Sequence, residues 1–247
     1  PIPVARADEL GALATQVNAM AASLQHMLAG QRGLLLAISH ELRSPLTRAR
    51  LHAELLDEGD QRSALLRDLG QMRDLIADLL ESERLAGGHA TLQREPTALN
   101  ALVAEVVKDV VAAQAPSQVP VLDLAPGLPT LALDRARIAL LVRNLLANAL
   151  QHGQGSAVVL ATGQDDAGVW LTVRDHGPGV AEDQLAQLAQ PFHRPDAARS
   201  RSGGGVGLGL YLCRLVAQAH GGGLQLRNAH PGLEARVQLP LDASLSR

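Results

Sequence analysis

Between residues 8 and 58, apolar side chains recur at Leu10, Leu13, Val17, Met20, Leu24 and Met27, give way once to polar Gln31, and resume at Leu34, Ile38 and Leu42. The spacing alternates between three and four residues, the signature of a helix whose seam meets another helix. Gly59 and Asp60 then mark a turn, and a second series runs through Leu65, Leu69, Met72, Ile76 and Leu79 until Gly87 and Gly88 stop it. The pattern predicts a helical hairpin with one apolar seam. Left unpaired, that seam stays in water, so the economical solution is a homodimer that closes a four-helix bundle.

Past Gly88 the periodicity shortens and alternates. Residues 92–95 and 119–124 read as strands, residues 97–113 as a helix, and residues 134–151 as a second helix capped by Asp134. Residues 157–162 and 169–174 read as a hairpin, separated by Gly163, Asp165, Asp166 and Gly168. A short helix over 181–189, a glycine-rich stretch over 203–209 opening a helix to His220, and a strand pair at 224–228 and 233–239 complete the order. Such an order predicts a mixed sheet covered by helices, an α/β sandwich of about 150 residues.

Composition narrows the function. With one cysteine, Cys213, the 247 residues can form neither an internal disulfide nor a cysteine-pair metal site, which points to a reducing cytoplasmic compartment. Lys108 is the one lysine and no Gly-Lys dipeptide occurs, which excludes the G-x-x-x-x-G-K-[ST] phosphate loop. Three aromatic residues, Trp170, Phe192 and Tyr211, cannot supply the stacking series of a single-strand nucleic-acid binder, and a net charge of -3 gives no basic footprint. Nucleic acid is therefore not an expected partner. No apolar run reaches the roughly 18 residues of a membrane span, so the chain reads as soluble.

Three places carry candidate chemistry. In S-H-E-L-R-S-P-L, Glu41 can accept a proton from one nitrogen of His40 and make the other a better nucleophile, while Ser44, four residues on, can orient a water. Pro45 removes a helical hydrogen bond beside the histidine and predicts a kink. A zinc site of the H-E-x-x-H kind fails because Ser44 stands where the second histidine belongs. Asn144, Asn148 and His152 share one helix face, and an amide oxygen there is a reasonable ligand for Mg²⁺, although a purely structural role is equally compatible with the spacing. In D-H-G-P-G the Asp175 carboxylate can accept from the exocyclic amine of a base, with Gly177 and Gly179 allowing close approach. An ordinary turn gives the same five residues. Finally, Gly203 to Leu210, preceded by Arg199 and Arg201, offers backbone N–H groups and a helix start to phosphates, with a flexible linker as the alternative.

Taken together and in this order, the motifs resemble those of the bacterial two-component sensor histidine kinases, over nearly the whole chain. S-H-E-L-R-S-P-L resembles the phosphoacceptor box, R-N-L-L-A-N-A-L-Q-H the N box, D-H-G-P-G and G-V-G-L-G-L the two glycine boxes, and P-F-H-R the F box. The resemblance implies a dimeric four-helix bundle followed by an ATP-binding α/β sandwich of the gyrase and heat-shock-chaperone ATPase type, with a lid over residues 192–204. It implies three regions: a signalling linker helix over 1–28, similar to the end of a HAMP-like membrane-proximal linker, a dimerisation and phosphotransfer domain over 29–89, and a catalytic domain over 90–247. Gly87 and Gly88 would be the hinge. By the same resemblance His40 is the phosphorylated nucleophile, Glu41 its general base and Ser44 the residue that positions water for dephosphorylating the partner regulator. Asn148, with Asn144, holds Mg²⁺. Asp175 reads adenine beside Gly177 and Gly179, His152 stacks on the base, and Gly205, Gly207, Leu208, Gly209 and Leu210 approach the phosphates of ATP with Arg199 and Arg201. The implied partners are a second copy of the chain and a cognate response regulator. The natural protein is expected to continue N-terminally into a membrane helix and a sensor, this chain being the cytoplasmic portion of an inner-membrane protein. Gln151 stands where the N box usually carries lysine or arginine. That departure keeps an alternative open, a dimeric nucleotide-binding signalling scaffold with weak or no kinase activity.

Overall fold

The computed structural model describes residues 9–87, 91–114, 118–193 and 207–241, and leaves several side chains within the first helix outside that set. The chain divides into two compact units between Glu83 and Arg84. Among the described residues no helix is long and apolar enough to cross a membrane.

The first unit is helical. α1 (Glu9–Glu54) runs as one helix through Pro45, and α2 (Asp60–Ala86) returns after a short turn. The turn closes through the N–H groups of Leu55 and Leu56, which donate to the carbonyls of His52 and Ala53. Seam positions Leu13, Val17, Met20, Met27, Ile38, Leu42, Leu65 and Met72 are all exposed in the single chain. The heptad pattern predicts that exposure. Leu10, Leu24 and Leu34 have side chains outside the described set. Between the two helices lies a groove of about 440 Å³, lined by Leu46, Leu51, Leu69 and Ile76 and edged by Arg43 and Arg73.

The second unit is the expected α/β sandwich. Its elements are β1 (Glu95–Thr97), α3 (Leu99–Gln114), β2 (Val121–Leu124), β3 (Leu131–Leu133), α4 (Arg135–His152), β4 (Val159–Asp165), β5 (Gly168–Arg174), α5 (Glu182–Leu185), α6 (Gly209–Ala219), β6 (Gly223–Asn228) and β7 (Leu233–Leu239). Five strands form a mixed sheet in the order β2-β4-β5-β7-β6, with β2 parallel to β4 and the other neighbours antiparallel. Alternation decides the faces. On β5, Val169, Leu171 and Val173 are buried, whereas Trp170, Thr172 and Arg174 lie on the other face, half-buried. α4 buries Ile138, Leu141, Val142, Leu145, Leu146 and Ala149, a stripe at helical spacing that packs against α3, α6 and β5. The core is aliphatic, as the shortage of aromatics requires.

Differences from the sequence reading have local causes. The first strand lies at Glu95–Thr97 instead of 92–95, because it pairs antiparallel with β3, a three-residue strand too short for its alternation to be read. β2 begins at Val121, one residue after Pro120, which has no N–H to give a ladder. The helix expected over 181–189 is one turn, Glu182–Leu185, continued by tight turns in which Gln187 and Gln190 donate to Gln184 and Gln187. α6 starts at Gly209, the last glycine of the 203–209 stretch.

Candidate active site

The backbone of His40 lies in α1, and its side chain is outside the described residues. Around it Glu41, Arg43 and Ser44 are exposed. The Ser44 hydroxyl accepts from Arg48 Nη1 at 3.0 Å, so a basic side chain one turn on already engages the oxygen expected to orient water. Thr47 Oγ1 donates to the Arg43 carbonyl at 2.9 Å.

In the second unit the structure gathers most of the described candidates around the end of α4. Asn144 and Asn148 face the start of α6: a Cβ on Gly209 would lie 3.0 Å from Asn144 Oδ1 and 3.7 Å from Asn148 Nδ2. A side chain at Gly209 would crowd the Asn144 amide. Asn144 Nδ2 donates to the Leu140 carbonyl at 3.2 Å, which turns its Oδ1 toward Gly209. Asp175 is buried at the end of β5, and its Oδ1 accepts from the N–H groups of Gly177 at 2.9 Å and Leu233 at 3.3 Å. A Cβ on Gly177 would meet the His152 carbonyl at 2.4 Å and Gly153 Cα at 3.2 Å, so the D-H-G-P-G turn and the end of α4 are in backbone contact. His152 and Gln151 are exposed on the last turn of α4.

Leu208 is buried, and Leu210 half-buried, where α6 begins. The Phe192 N–H donates to the Gly207 carbonyl at 3.1 Å, joining the F-box residue to the far end of the intervening segment. Phe192 itself is 60% exposed and holds φ +61°, an uncommon conformation for a bulky residue. Arg199, Arg201 and Gly205, with most of the expected lid, lie outside the described residues.

Sequence reasoning assigned no role to several groups that build this site. Ser156 Oγ accepts from the His176 N–H at 3.3 Å, and His176 Nδ1 bonds the Ala157 carbonyl at 2.7 Å, pinning the turn after β5 to the start of β4. Asn228, at the end of β6, grips Val180 just past the same turn. His176 could have been suspected from its place inside the motif. Asn228 carries no such signal, being 48 residues from its partner.

Two groups with shifted pKa values, Asp134 and His220, sit at the opposite end of α4. Asp134 caps the helix, accepting from the Arg137 N–H at 3.2 Å and the Gln93 N–H at 3.1 Å. Burial alone would raise its carboxyl, but those N–H groups and the Arg137 guanidinium outweigh it and hold it below the ordinary value. The Asp134 N–H donates to His220 Nε2 at 3.0 Å, and His220 Nδ1 bonds the Val216 carbonyl at 2.8 Å. That arrangement requires a neutral imidazole, and burial accordingly pushes the His220 pKa down.

Residues 133–243 match the family described as histidine kinase-, DNA gyrase B-, and HSP90-like ATPase, and residues 31–88 match the His kinase A (phospho-acceptor) domain. Relatives share the same span. The signal transduction histidine-protein kinase BaeS of Escherichia coli (strain K12) is 34% identical over 97% of this chain and 53% of its own length, and the sensor protein PfeS of Pseudomonas aeruginosa is 36% identical with the same coverage. The chain belongs to the sensor histidine kinases. It spans about half the length of those curated relatives. Among solved structures, full-length ShkA in complex with AMPPNP superposes on 84% of this kinase-family chain and 45% of its own, with a TM-score of 0.71 and 27% identity. The Acinetobacter baumannii histidine kinase AdeS covers 82% of this chain and 98% of its own at a TM-score of 0.60 and 22% identity, a likeness of fold.

Proposed function

We propose that this chain is the ATP-dependent kinase portion of a two-component sensor, autophosphorylating His40 and passing the phosphoryl group to an aspartate of a response regulator. The carrying observation is the packing of Gly209 against Asn144 and Asn148, with Asp175 buried beside the same helix end. In this reading residues 1–28 relay the signal, 29–89 dimerise and accept the phosphoryl group, and 90–247 bind ATP.

Asp175 accepts from the adenine amine, its carboxylate oriented by the N–H groups of Gly177 and Leu233. His152 stacks on the base. The N-terminus of α6, with Gly205, Gly207, Leu208, Gly209 and Leu210, points N–H groups at the phosphates, and Arg199 and Arg201 add charge. The amide oxygens of Asn148 and Asn144 fit a hard cation that keeps its water and phosphate ligands, and Mg²⁺ bound there neutralises phosphate charge. Glu41 takes the proton from one ring nitrogen of His40 and the other attacks the γ-phosphorus. The bond to the β–γ bridging oxygen breaks, and ADP leaves. Ser44, engaged by Arg48, orients water for the reverse task of dephosphorylating the regulator. The apolar seam supports a homodimer, and the full protein is proposed to be anchored in the inner membrane by a preceding segment.

His40→Gln is expected to abolish acid-labile label from γ-labelled ATP in the presence of Mg²⁺, with ATP binding retained. Label persisting in that variant overturns the assignment. Gln151, exposed where the family carries a cation, favours a second reading, a dimeric nucleotide-binding scaffold with weak or no kinase activity. Absence of label in the unaltered chain, restored by Gln151→Lys, would favour it.

A further inference from the structure

We infer that Asn228 is a positioning residue for the base end of the nucleotide site, an inference that rests on the reading of Asp175 just given. Its side-chain Oδ1 accepts from the Val180 N–H at 3.0 Å, and its Nδ2 donates to the Val180 carbonyl at 2.7 Å and to Glu182 Oε1 at 2.8 Å. One amide thus satisfies both main-chain groups of Val180, as a neighbouring strand would, at a point where no strand runs. What it grips is the end of D-H-G-P-G. Gly179 holds φ +72°, and a Cβ there would sit 2.8 Å from Asn228 Oδ1.

The rest of the β6–β7 turn supports the other end of the same motif. The Asp175 N–H donates to the Leu233 carbonyl at 3.0 Å, the Leu233 N–H returns to Asp175 Oδ1 at 3.3 Å, and Arg174 Nη2 donates to the Ala229 carbonyl at 3.1 Å. A Cβ on Gly232 would fall 1.9 Å from the Asp175 carbonyl, so the two backbones touch. Both of these backbone N–H donors, Gly177 and Leu233, go to Asp175 Oδ1, which assigns Oδ2 to the base. Its direction then depends on where the turn is held, and Asn228 holds the turn from the end of β6. Aspartate cannot replace it: a carboxylate has no N–H for the Val180 carbonyl and would oppose Glu182.

The test uses the full 247-residue chain, titrated calorimetrically with ATP and with inosine triphosphate, whose base carries an oxygen where adenine carries the amine. Asn228→Ala should weaken ATP about ten-fold and inosine triphosphate less than about two-fold. Asn228→Asp, nearly isosteric, should act in the same direction and decides the matter if the alanine variant melts early by Trp170 fluorescence. Equal weakening of both nucleotides, or unchanged ATP affinity, overturns the inference. Asp175→Asn separates it from the reading beneath: if that variant keeps the preference for ATP, the base assignment itself fails. Loss of preference in Asp175→Asn with none in the Asn228 variants removes only the positioning role.

Discussion

In the nucleotide unit Leu141, Leu146, Leu160 and Leu212 are removed from water, whereas on the helical hairpin Leu13, Met20 and Met27 are more than half exposed. Both sets are apolar and both recur at regular spacing. The sandwich closes its layers within one chain, because a sheet face and three helices can cover each other. Two helices cannot, and a seam that stays in water carries its stabilisation only when another pair of helices covers it. Equal-looking periodicity therefore encodes self-sufficiency in one region and dependence on a partner in the other.

Leu146→Ala should test that contrast most severely. Truncating a fully buried side chain costs about 2–5 kcal/mol, and the loss should appear as earlier melting of the nucleotide unit, reported by Trp170, the one tryptophan, on β5. Leu42→Ala on the exposed seam should leave that melt within about 0.5 kcal/mol of the parent. A comparable cost for both would erase the distinction.

A smaller effect sharpens the dependence on a partner. Met72→Asp places a charge on the seam, where each covered side chain contributes about 1.5–3 kcal/mol. Dimer affinity, measured by analytical ultracentrifugation, should fall at least about ten-fold, with ATP affinity of the second unit unaltered. An undisturbed dimer would show that this seam is not the interface.

The smallest and most diagnostic effect is on pH dependence, where the two units should respond with opposite sign. Burial holds the His220 imidazole below its ordinary 6.5, with Arg94 and Arg137 pushing the same way and the Val216 carbonyl and Asp134 opposing. The unfolded chain takes up that proton more readily, so this contribution is complete above pH 6.5 and is lost as pH falls below it. Asp134 acts in the same sense lower down, its contribution fading as pH drops below 3.8. Asp78 on α2 is pushed up to about 6 by burial and by Asp74 one turn away. Here the folded state holds the proton more tightly, so the contribution is complete below 3.8 and is lost as pH rises through about 6. Acidification between these limits should strengthen the helices, followed by circular dichroism, and weaken the nucleotide unit, followed by Trp170 emission. Asp78→Asn should flatten the first slope and His220→Gln the second, and slopes of equal sign in the parent chain would contradict the scheme.

Much of this was legible in advance for identifiable reasons. The hairpin at 157–174 is signalled by Asp165, Asp166 and Gly168 at its turn, although Gly163, expected in that turn, pairs with Trp170 inside β4, and α4 announces itself by Asp134, whose side chain does cap Arg137. Asn144 and Asn148 could be placed on one face, and Asp175 at a strand end, because helical spacing and strand alternation are short-range facts. β3 was missed because three residues carry no periodicity, and α5 was expected too long because its continuation in tight turns uses the same residue types as a helix.

The sequence by itself determined the two kinds of periodicity, the aliphatic core and the identity of the chemical groups, since all three depend on residue type and near-neighbour spacing. Tertiary structure alone decided which groups share a site. The contact of Gly209 with Asn144, the pairing of Leu233 with Asp175 and the grip of Asn228 on Val180 join residues far apart in the chain. Their meeting follows from the strand order β2-β4-β5-β7-β6, in which β7 lies beside β5 and brings the end of β6 against the turn after Asp175.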